Sequence, residues 1–320
     1  MTTPVVLTGA GGFIGSAVLR RLVRQDAAVR AVTRSPRQLP PGVEQVHADL
    51  ARPESLTGVC SGARVLVHAA SHVGSDEQLC TQVNDLGTAA LMREARRAGV
   101  ERVVQLSTTA VYGRGPHRGA AVGDLEPGPG SPASRSRLAA EEHALREDAL
   151  VLRAGLITGP GDRWVVPALA ELTRRVPGYW RGGRAELSLI DVDDLARLVV
   201  RASLPLPVAG RPAPVVRGVH HAVHPEPVRN RDLLDTLAGL GVLPSVSGEL
   251  TWQECLALLE KNPGRVAERQ LSLLAFDHHY ATGLWQACQS APGDGPLAAL
   301  AAAAPWYRTH LALTDRTDRP

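Results

Sequence analysis

The chain has 320 residues, 44% of them hydrophobic, and a formal charge of +3. Such a length suits one large domain or a nucleotide domain with an appended lobe, and the basic residues form no stripe interleaved with aromatics of the kind that nucleic-acid binding requires. No apolar run reaches membrane-spanning length, the first core strand begins too early for a signal peptide, and Cys60, Cys80, Cys255 and Cys288 form no close pair, so the expectation is a reduced, cytoplasmic protein with no zinc knuckle, redox pair or other metal site.

Val5-Val6-Leu7 reads as a buried parallel strand. It feeds Thr8-Gly9-Ala10-Gly11-Gly12-Phe13-Ile14-Gly15. The glycines allow a tight turn and close approach of a pyrophosphate, and the following helix offers free N–H groups and its positive dipole end. An amphipathic segment, Ser16 to Arg24, and a second strand, Ala28 to Val32, complete a β-α-β unit. Strands are predicted at 4–8, 28–33, 43–47, 64–68, 102–107 and 149–153, and helices at 13–25, 53–60, 76–98 and 132–147. This alternation predicts an α/β fold with a doubly wound parallel Rossmann sheet, its ligands outside the carboxyl ends of the strands.

From about residue 160 the pattern changes. A loop is expected at 178–183, a short strand at 187–192 and a helix at 194–203 capped by Asp193. A Pro-rich connector follows at 204–214, then helices at 230–241, 251–260 and in stretches of 265–311, and a frayed end from Thr314. The expected division is a dinucleotide-binding Rossmann domain, 1–160, and a smaller, mostly helical substrate-binding lobe, 161–320, from which the chain returns to the first domain near 187–203.

The exit of the second strand reads Thr33-Arg34-Ser35-Pro36-Arg37. An acid there would hold a free ribose 2′-hydroxyl and repel a 2′-phosphate; a guanidinium grips the phosphate as a fork. Arg34 and Arg37 therefore point to NADPH/NADP+. Asp49-Leu50 is placed to meet the adenine edge, and the small residues of His68-Ala69-Ala70-Ser71 permit close approach of the cofactor. Asn84 lies on the next helix, and Ser107-Thr108-Thr109-Ala110-Val111-Tyr112-Gly113 ends the fifth strand.

Together with Leu152-Arg153, Gly159-Pro160-Gly161 and Val192-Asp193-Asp194-Leu195-Ala196, these motifs run in order over residues 4–200. The chain resembles the extended short-chain dehydrogenases/reductases, in their epimerase/dehydratase-like branch; the likeness fades after residue 205. It implies cofactor contacts from Gly9, Gly12, Phe13, Ile14, Gly15, Asn84, Ser107 and Ala154-Gly155-Leu156-Ile157. It also implies a Ser or Thr and a Tyr-x-x-x-Lys pair for acid–base work. Thr108 takes the Ser/Thr place. Aligned on Ser136-Arg137-Leu138-Ala139-Ala140-Glu141, Ala133 stands in the Tyr place and Arg137 in the Lys place. The chain's one lysine is Lys261, and Tyr112 is its first tyrosine, so no slip in alignment restores the pair. Arg137 can still donate to ribose hydroxyls, but an arginine exchanges no proton near neutral pH.

Thr109, Tyr112, Ala133, Trp164, Trp180, His278 and His279 are the candidate substrate contacts, with Trp164 and Trp180 as walls of an aromatic slot. The bland reading of His278 and His279 is surface histidines at a helix end. Trp252, Trp285 and Trp306 read as core. His220-His221-Ala222-Val223-His224 is flanked by Val219 and Pro225, so it reads as strand or loop rather than a helical metal site. The activity these features imply is an atypical NADPH-dependent ketoreductase acting on a bulky aromatic polyketide of the angucyclinone type, an antibiotic intermediate, as monomer or homodimer. The rivals are a non-catalytic NADP(H)-binding regulator or scaffold and a nucleotide-sugar epimerase or dehydratase.

Overall fold

The computed structural model describes residues 3–204 and 215–317, with only the backbone beyond residue 312. The first half alternates as its apolar runs dictate: β1 Val5–Thr8, α1 Phe13–Val23, β2 Val29–Thr33, β3 Glu44–His47 and β4 Val65–His68. The long helix expected at 76–98 starts as α2 Glu77–Cys80, widens to π-helical turns over Thr81–Leu86 and continues as α3 Gly87–Arg97. The helix expected at 53–60 shrinks to one 3-10 turn, Pro53–Leu56. Next come β5 Arg102–Thr108, β6 His117–Ala120, α4 Pro132–Leu145, β7 Leu150–Ala154 and β8 Leu156–Thr158.

The second half contains α5 Val165–Arg175, β9 Tyr179–Trp180, β10 Glu186–Leu187, β11 Leu189–Asp191, α6 Val192–Ser203, β12 Gly218–Ala222 and β13 Val228–Arg229. It ends with α7 Asn230–Gly239, β14 Glu249–Leu250, α8 Trp252–Lys261, α9 Glu268–Ala275, β15 His278–Tyr280, α10 Leu284–Ala287 and α11 Leu300–Thr317. The strand expected at 187–192 is split at Ser188, and the cap of α6 is Asp191, whose carboxylate accepts from the Asp193 N–H, rather than Asp193 itself. The backbone is helical to Thr317, past the point where fraying is expected, and 318–320 lie outside the described residues, as does the expected connector from 205 to 214.

Seven parallel strands form the central Rossmann sheet in the order β12-β7-β5-β4-β1-β2-β3. α1 and α6 cover one face, with Leu19, Leu22, Leu195 and Val199 against Leu7, Val67 and Leu152. Leu56, Leu91, Met92 and Ala144 cover the other against Val6, Leu66 and Val151. A separate core joins α5, α7, α8, α9 and α11 around Leu169, Trp180, Leu233 and Tyr307. The edge strand β12 carries His220 and His221, which confirms strand over helix there; among the described residues no group of His, Cys, Asp and Glu could hold a metal. All four cysteines are free and buried. No helix among the described residues is long and apolar enough to cross a membrane.

Candidate cofactor site and reaction centre

A cavity of about 310 Å³ opens at the carboxyl ends of β1, β2 and β4. Two loops build its floor. Gly9, at φ +73°, faces the loop after β4 so closely that a Cβ would lie 2.7 Å from Ala69 C and Ala70 N. At Gly15 a Cβ would overlap the Gly9 carbonyl, so only glycine lets α1 begin against the turn. The contact is locked from below. Thr8 Oγ1 accepts from the Ala70 N–H at 3.2 Å and lies 2.7 Å from His68 Nδ1. His68 Nε2 is 2.9 Å from Thr88 Oγ1. Burial, and after it the nearby Arg137 charge, push the His68 pKa down to about 4. His68 is therefore a neutral strut between β1, β4 and α3.

The cavity brings together Gly9, Gly12, Arg34, Arg37, Asp49, Leu50, Ala69, Ala70 and Ser71 of the expected cofactor residues, and adds Thr33, Ser35 and His72. The rim nearest β2 carries no acid: Thr33 Oγ1 accepts from Gln45 Nε2 at 2.9 Å. Asp49 turns inward and accepts from the Ala51 N–H at 3.0 Å.

Other expected cofactor residues stand outside the cavity. Phe13 and Ile14 pack on the sheet core, and Gly15 serves helix–turn packing. Asn84 is 2% exposed and clamps the backbone of His72, accepting from its N–H at 2.7 Å and donating to its carbonyl at 2.9 Å, while also donating to Ser136 Oγ at 2.9 Å. Its role is to hold the cavity loop to α4. Ser107 is buried and donates to Glu141. Ala154 belongs to the core, and Leu156 and Ile157 pair with β11. A Cβ on Gly155 would lie 2.5 Å from Ser188 O.

The expected reaction centre lies between the end of β5 and the start of α4. Ser131 caps α4 through the Ser134 N–H at 3.1 Å. Ala133 is half-buried in the first turn, and Arg137 follows one turn later. Arg137 Nη2 donates to Leu106 O at 3.3 Å, its Nε has no acceptor among the described residues, and burial lowers its pKa to about 10 while Glu141 opposes that shift. Thr108 Oγ1 accepts from the Ala110 N–H at 3.2 Å.

Behind this centre sits a buried polar network that sequence patterning does not reveal. Arg153 binds Glu141 through both carboxylate oxygens, with Nη2 at 2.6 Å, and donates through Nη1 to Tyr112 Oη at 2.8 Å. Tyr112 Oη is 2.7 Å from His221 Nε2. Tyr112 stacks on Tyr280 at 5.5 Å, and Tyr280 Oη is 2.9 Å from His117 Nδ1. Tyr112, 4% exposed, is thus structural and not a substrate contact. The hydroxyl of Thr109 meets that of Tyr280.

Two further expectations are corrected. Trp180 is fully buried in the second core and donates through Nε1 to Val176 O at 2.9 Å, so it lines no slot. His278 and His279 form a strand beside β6 rather than a surface helix end. His278 is buried, with Nδ1 2.9 Å from Phe276 O, and His279 lies 3.3 Å from Glu186. Trp164, by contrast, is 60% exposed. The turn bearing it is rigid, because the buried Asp162 carboxylate accepts from the N–H groups of Trp164, Val165 and Val166 at 2.7, 2.9 and 2.9 Å and from Tyr307 Oη at 3.0 Å.

Residues 5–206 match the NAD dependent epimerase/dehydratase family. The chain belongs to that family. Among its relatives, a 2-alkyl-3-oxoalkanoate reductase of Stenotrophomonas maltophilia is 28% identical over 289 residues, covering 84% of each chain. A 4-hydroxy-2-methyl-3-oxo-4-farnesyl-3,4-dihydroquinoline-1-oxide ketoreductase of Stigmatella aurantiaca is 30% identical over 196 residues, 56% of this chain and 58% of the relative. Among solved structures, MoeE5 in complex with UDP-glucuronic acid and NAD shares the fold with a TM-score of 0.73 at 22% identity, over 96% of this chain and 99% of MoeE5.

Proposed function

We propose that the protein is an NADPH-dependent ketoreductase that transfers hydride without a Tyr/Lys acid pair. The observation that carries this reading is the pairing of a basic cofactor rim, Arg34 and Arg37, with Ala133 and Arg137 on the face of α4 where the resemblance places tyrosine and lysine. The names of two relatives, both reductases of oxo compounds, support a ketone as substrate. Residues that fit the dinucleotide are Gly9 and Gly12 at the pyrophosphate, Arg34 and Arg37 at a 2′-phosphate, and Arg137 toward the ribose. When bound, the reduced nicotinamide supplies the hydride.

The chain's own task is then to orient the ketone. The Thr108 hydroxyl can donate to its oxygen, and the small Ala133 leaves room for a flat ring. The substrate class we favour is a bulky aromatic polyketide of the angucyclinone type; the chain is similar in character to the ketoreductase of simocyclinone biosynthesis. On that reading the proton comes from the substrate or from water. Incubation with NADPH and a panel of aromatic polyketide ketones, followed at the nicotinamide absorbance band, tests it. Cofactor-dependent consumption of ketone is expected; tight NADPH binding with no turnover on any ketone would instead support the non-catalytic reading that Ala133 also permits.

A further inference from the structure

His72 lines the candidate cofactor cavity on the loop that follows β4, two residues beyond Ala70, and is half-buried. Its backbone is pinned on both sides: the N–H donates to Asn84 Oδ1 at 2.7 Å, and the carbonyl accepts from Asn84 Nδ2 at 2.9 Å. Two residues further on, the Gly74 carbonyl accepts from Cys80 Sγ at 3.6 Å. The imidazole is seated over Gly74, where a Cβ would come within 2.9 Å of Nε2. Among the described residues neither nitrogen of this ring has a hydrogen-bond partner. His68, four residues earlier, has both of its ring nitrogens engaged, by Thr8 and Thr88. A fixed backbone thus presents an uncommitted imidazole to the cavity.

Strand order decides which part of a dinucleotide the ring can meet. In the sheet β1 lies between β4 and β2. Arg34 and Arg37 follow β2, the side on which a 2′-phosphate is read. The glycine turn follows β1 and is the seat of a pyrophosphate. His72 follows β4, so it approaches that turn from the side opposite the arginines. Its loop already touches the turn, where Gly9 meets Ala69 and Ala70. The start of α1 offers a pyrophosphate only the partial charge of a helix N-terminus. Of the residues that line the cavity from the β4 side, His72 alone can carry a full positive charge.

We propose that His72 is a further cofactor ligand: its imidazolium grips the pyrophosphate from the β4 side, and the proton it carries is taken up as the dinucleotide binds. This rests on reading the cavity as a dinucleotide site and not on the reaction that follows. An imidazole changes charge between about pH 5 and 8, and an oxyanion within hydrogen-bond reach favours the charged ring. Affinity for the pyrophosphate therefore rises as pH falls through that window. The other ionisable groups around the ring are Arg34, Arg37 and Asp49 on the cavity wall, His68 beneath the loop, Cys80 behind it and Arg137 on α4. All six are retained in the His72 and Gly74 variants that test the assignment.

The probe is ADP-ribose, which has the pyrophosphate but neither the 2′-phosphate nor the nicotinamide, and whose phosphate diester does not titrate in this window. Calorimetry in buffers of unlike ionisation heat is expected to show net proton uptake near neutral pH. Affinity should be about three- to tenfold higher at the acid end of the window than at the alkaline end. His72→Gln keeps a neutral donor and should lose both the uptake and the pH slope. Gly74→Ala keeps the histidine, pushes the ring off its seat and should blunt both. In His72→Gln the ratio of NADP+ to NAD+ affinity is expected to stay within about twofold of the parent's, because the ring faces the pyrophosphate that both share; Arg34→Ala, which should change that ratio, is the contrast. ADP-ribose binding without proton uptake overturns the proposal and leaves the cavity a dinucleotide site. So does an uptake that persists in His72→Gln with native circular dichroism. A changed NADP+ to NAD+ ratio in His72→Gln overturns the pyrophosphate assignment. Failure of ADP-ribose, NAD+ and NADP+ alike to bind removes the dinucleotide site and the role of His72 with it.

Discussion

The guanidinium of Arg37 lies directly over the α-carbon of Gly11. A side chain at Gly11 would overlap Nη1 and Cζ and come within 2.8 Å of Nη2. The glycine turn and the basic rim are thus one device: the missing side chain at position 11 is the seat of Arg37, the arginine proposed to meet the cofactor's phosphates. Arg37→Ala is expected to weaken NADPH binding by roughly 1.5–3 kcal/mol, the range for a charge-assisted bond, and to leave NADH nearly unchanged. Gly11→Ala should do the same by displacing Arg37. Calorimetry with both nucleotides on Arg34→Ala, Arg37→Ala and Gly11→Ala decides it; an unchanged NADPH-over-NADH ratio in all three would refute the assignment.

On the proposed function, Thr108 is expected to assist turnover without being essential to it. Among the described residues its hydroxyl has no activating base beside it and accepts from the Ala110 N–H at 3.2 Å. Loss of a neutral donor worth about 1–2 kcal/mol predicts that Thr108→Ala turns over roughly five- to thirty-fold more slowly. Single-turnover kinetics with saturating NADPH checks this. Complete loss of hydride transfer in a folded, NADPH-bound variant would make Thr108 the main acid.

Hydride transfer leaves an alkoxide, and Ala133 has no proton to give it. A phenol on the substrate, hydrogen-bonded to the ketone, can polarise the carbonyl and then neutralise the alkoxide, while the protein supplies near-attack geometry. An analogue with that phenol methylated is expected to bind normally and react about 10²–10⁴-fold more slowly, the usual worth of general acid catalysis. Full-speed reduction of the methylated analogue contradicts substrate assistance. The Ala133→Tyr, Arg137→Lys double variant should reduce compact ketones better and flat polycyclic ones worse.

The His68 strut makes stability depend on pH. Its pKa is lowered from 6.5 to about 4 in the folded protein, first by burial and then by Arg137. The neutral ring is the form that the fold accepts. Its contribution is therefore fully present above about pH 6.5 and is lost as pH falls toward 4, by an amount on the order of 3 kcal/mol. Urea unfolding between pH 7 and pH 4 should show this decline, flattened in His68→Asn. An equal slope in both proteins would assign the decline to other groups.

The two tryptophans read alike in sequence and separate cleanly in the fold. Trp180→Ala empties a fully buried position and should cost about 3–5 kcal/mol by denaturant unfolding. Trp164→Ala should leave stability within about 0.5 kcal/mol. Its effect should fall instead on KM for aromatic ketones, since the Asp162-held turn displays the ring to solvent. A large loss of stability in Trp164→Ala, or none in Trp180→Ala, would reverse the assignment.

What was legible in the sequence is what short-range chemistry dictates. The turn at Gly9, the order of the central-sheet strands up to Leu150 and the basic strand exit at Arg34 each follow from local residue patterns; β6, outside that sheet, does not. The misses have one cause in common, which is partnership across long separation. His278–Tyr280 is too short to show a period of two, and its partner strand lies about 160 residues away at His117. Ser188 interrupts a strand because it serves two sheets: its N–H donates to His278 O while its carbonyl accepts from Leu156 N–H. Asn84 reads as a ligand contact, because nothing local shows that its amide grips the backbone of His72. Asp193 was a plausible cap beside Asp191 and Asp194, and choosing among three neighbouring aspartates needs the backbone angles themselves.

The last strand of the central sheet comes late. β12 pairs with β7 along Leu150 to Ala154, yet the chain makes all of α5 and α6 before reaching it. Until then β7 presents an open row of amides and carbonyls, the kind of edge to which another chain can add. Completion of the central sheet thus waits on residues that follow the segment matching the family, so the two halves are bound by the order of their assembly as well as by contact. A border drawn at residue 206, where the family match ends, cuts through a folding unit: the five residues that close the sheet lie beyond it, and so do Leu284, Trp285 and Cys288 of its core.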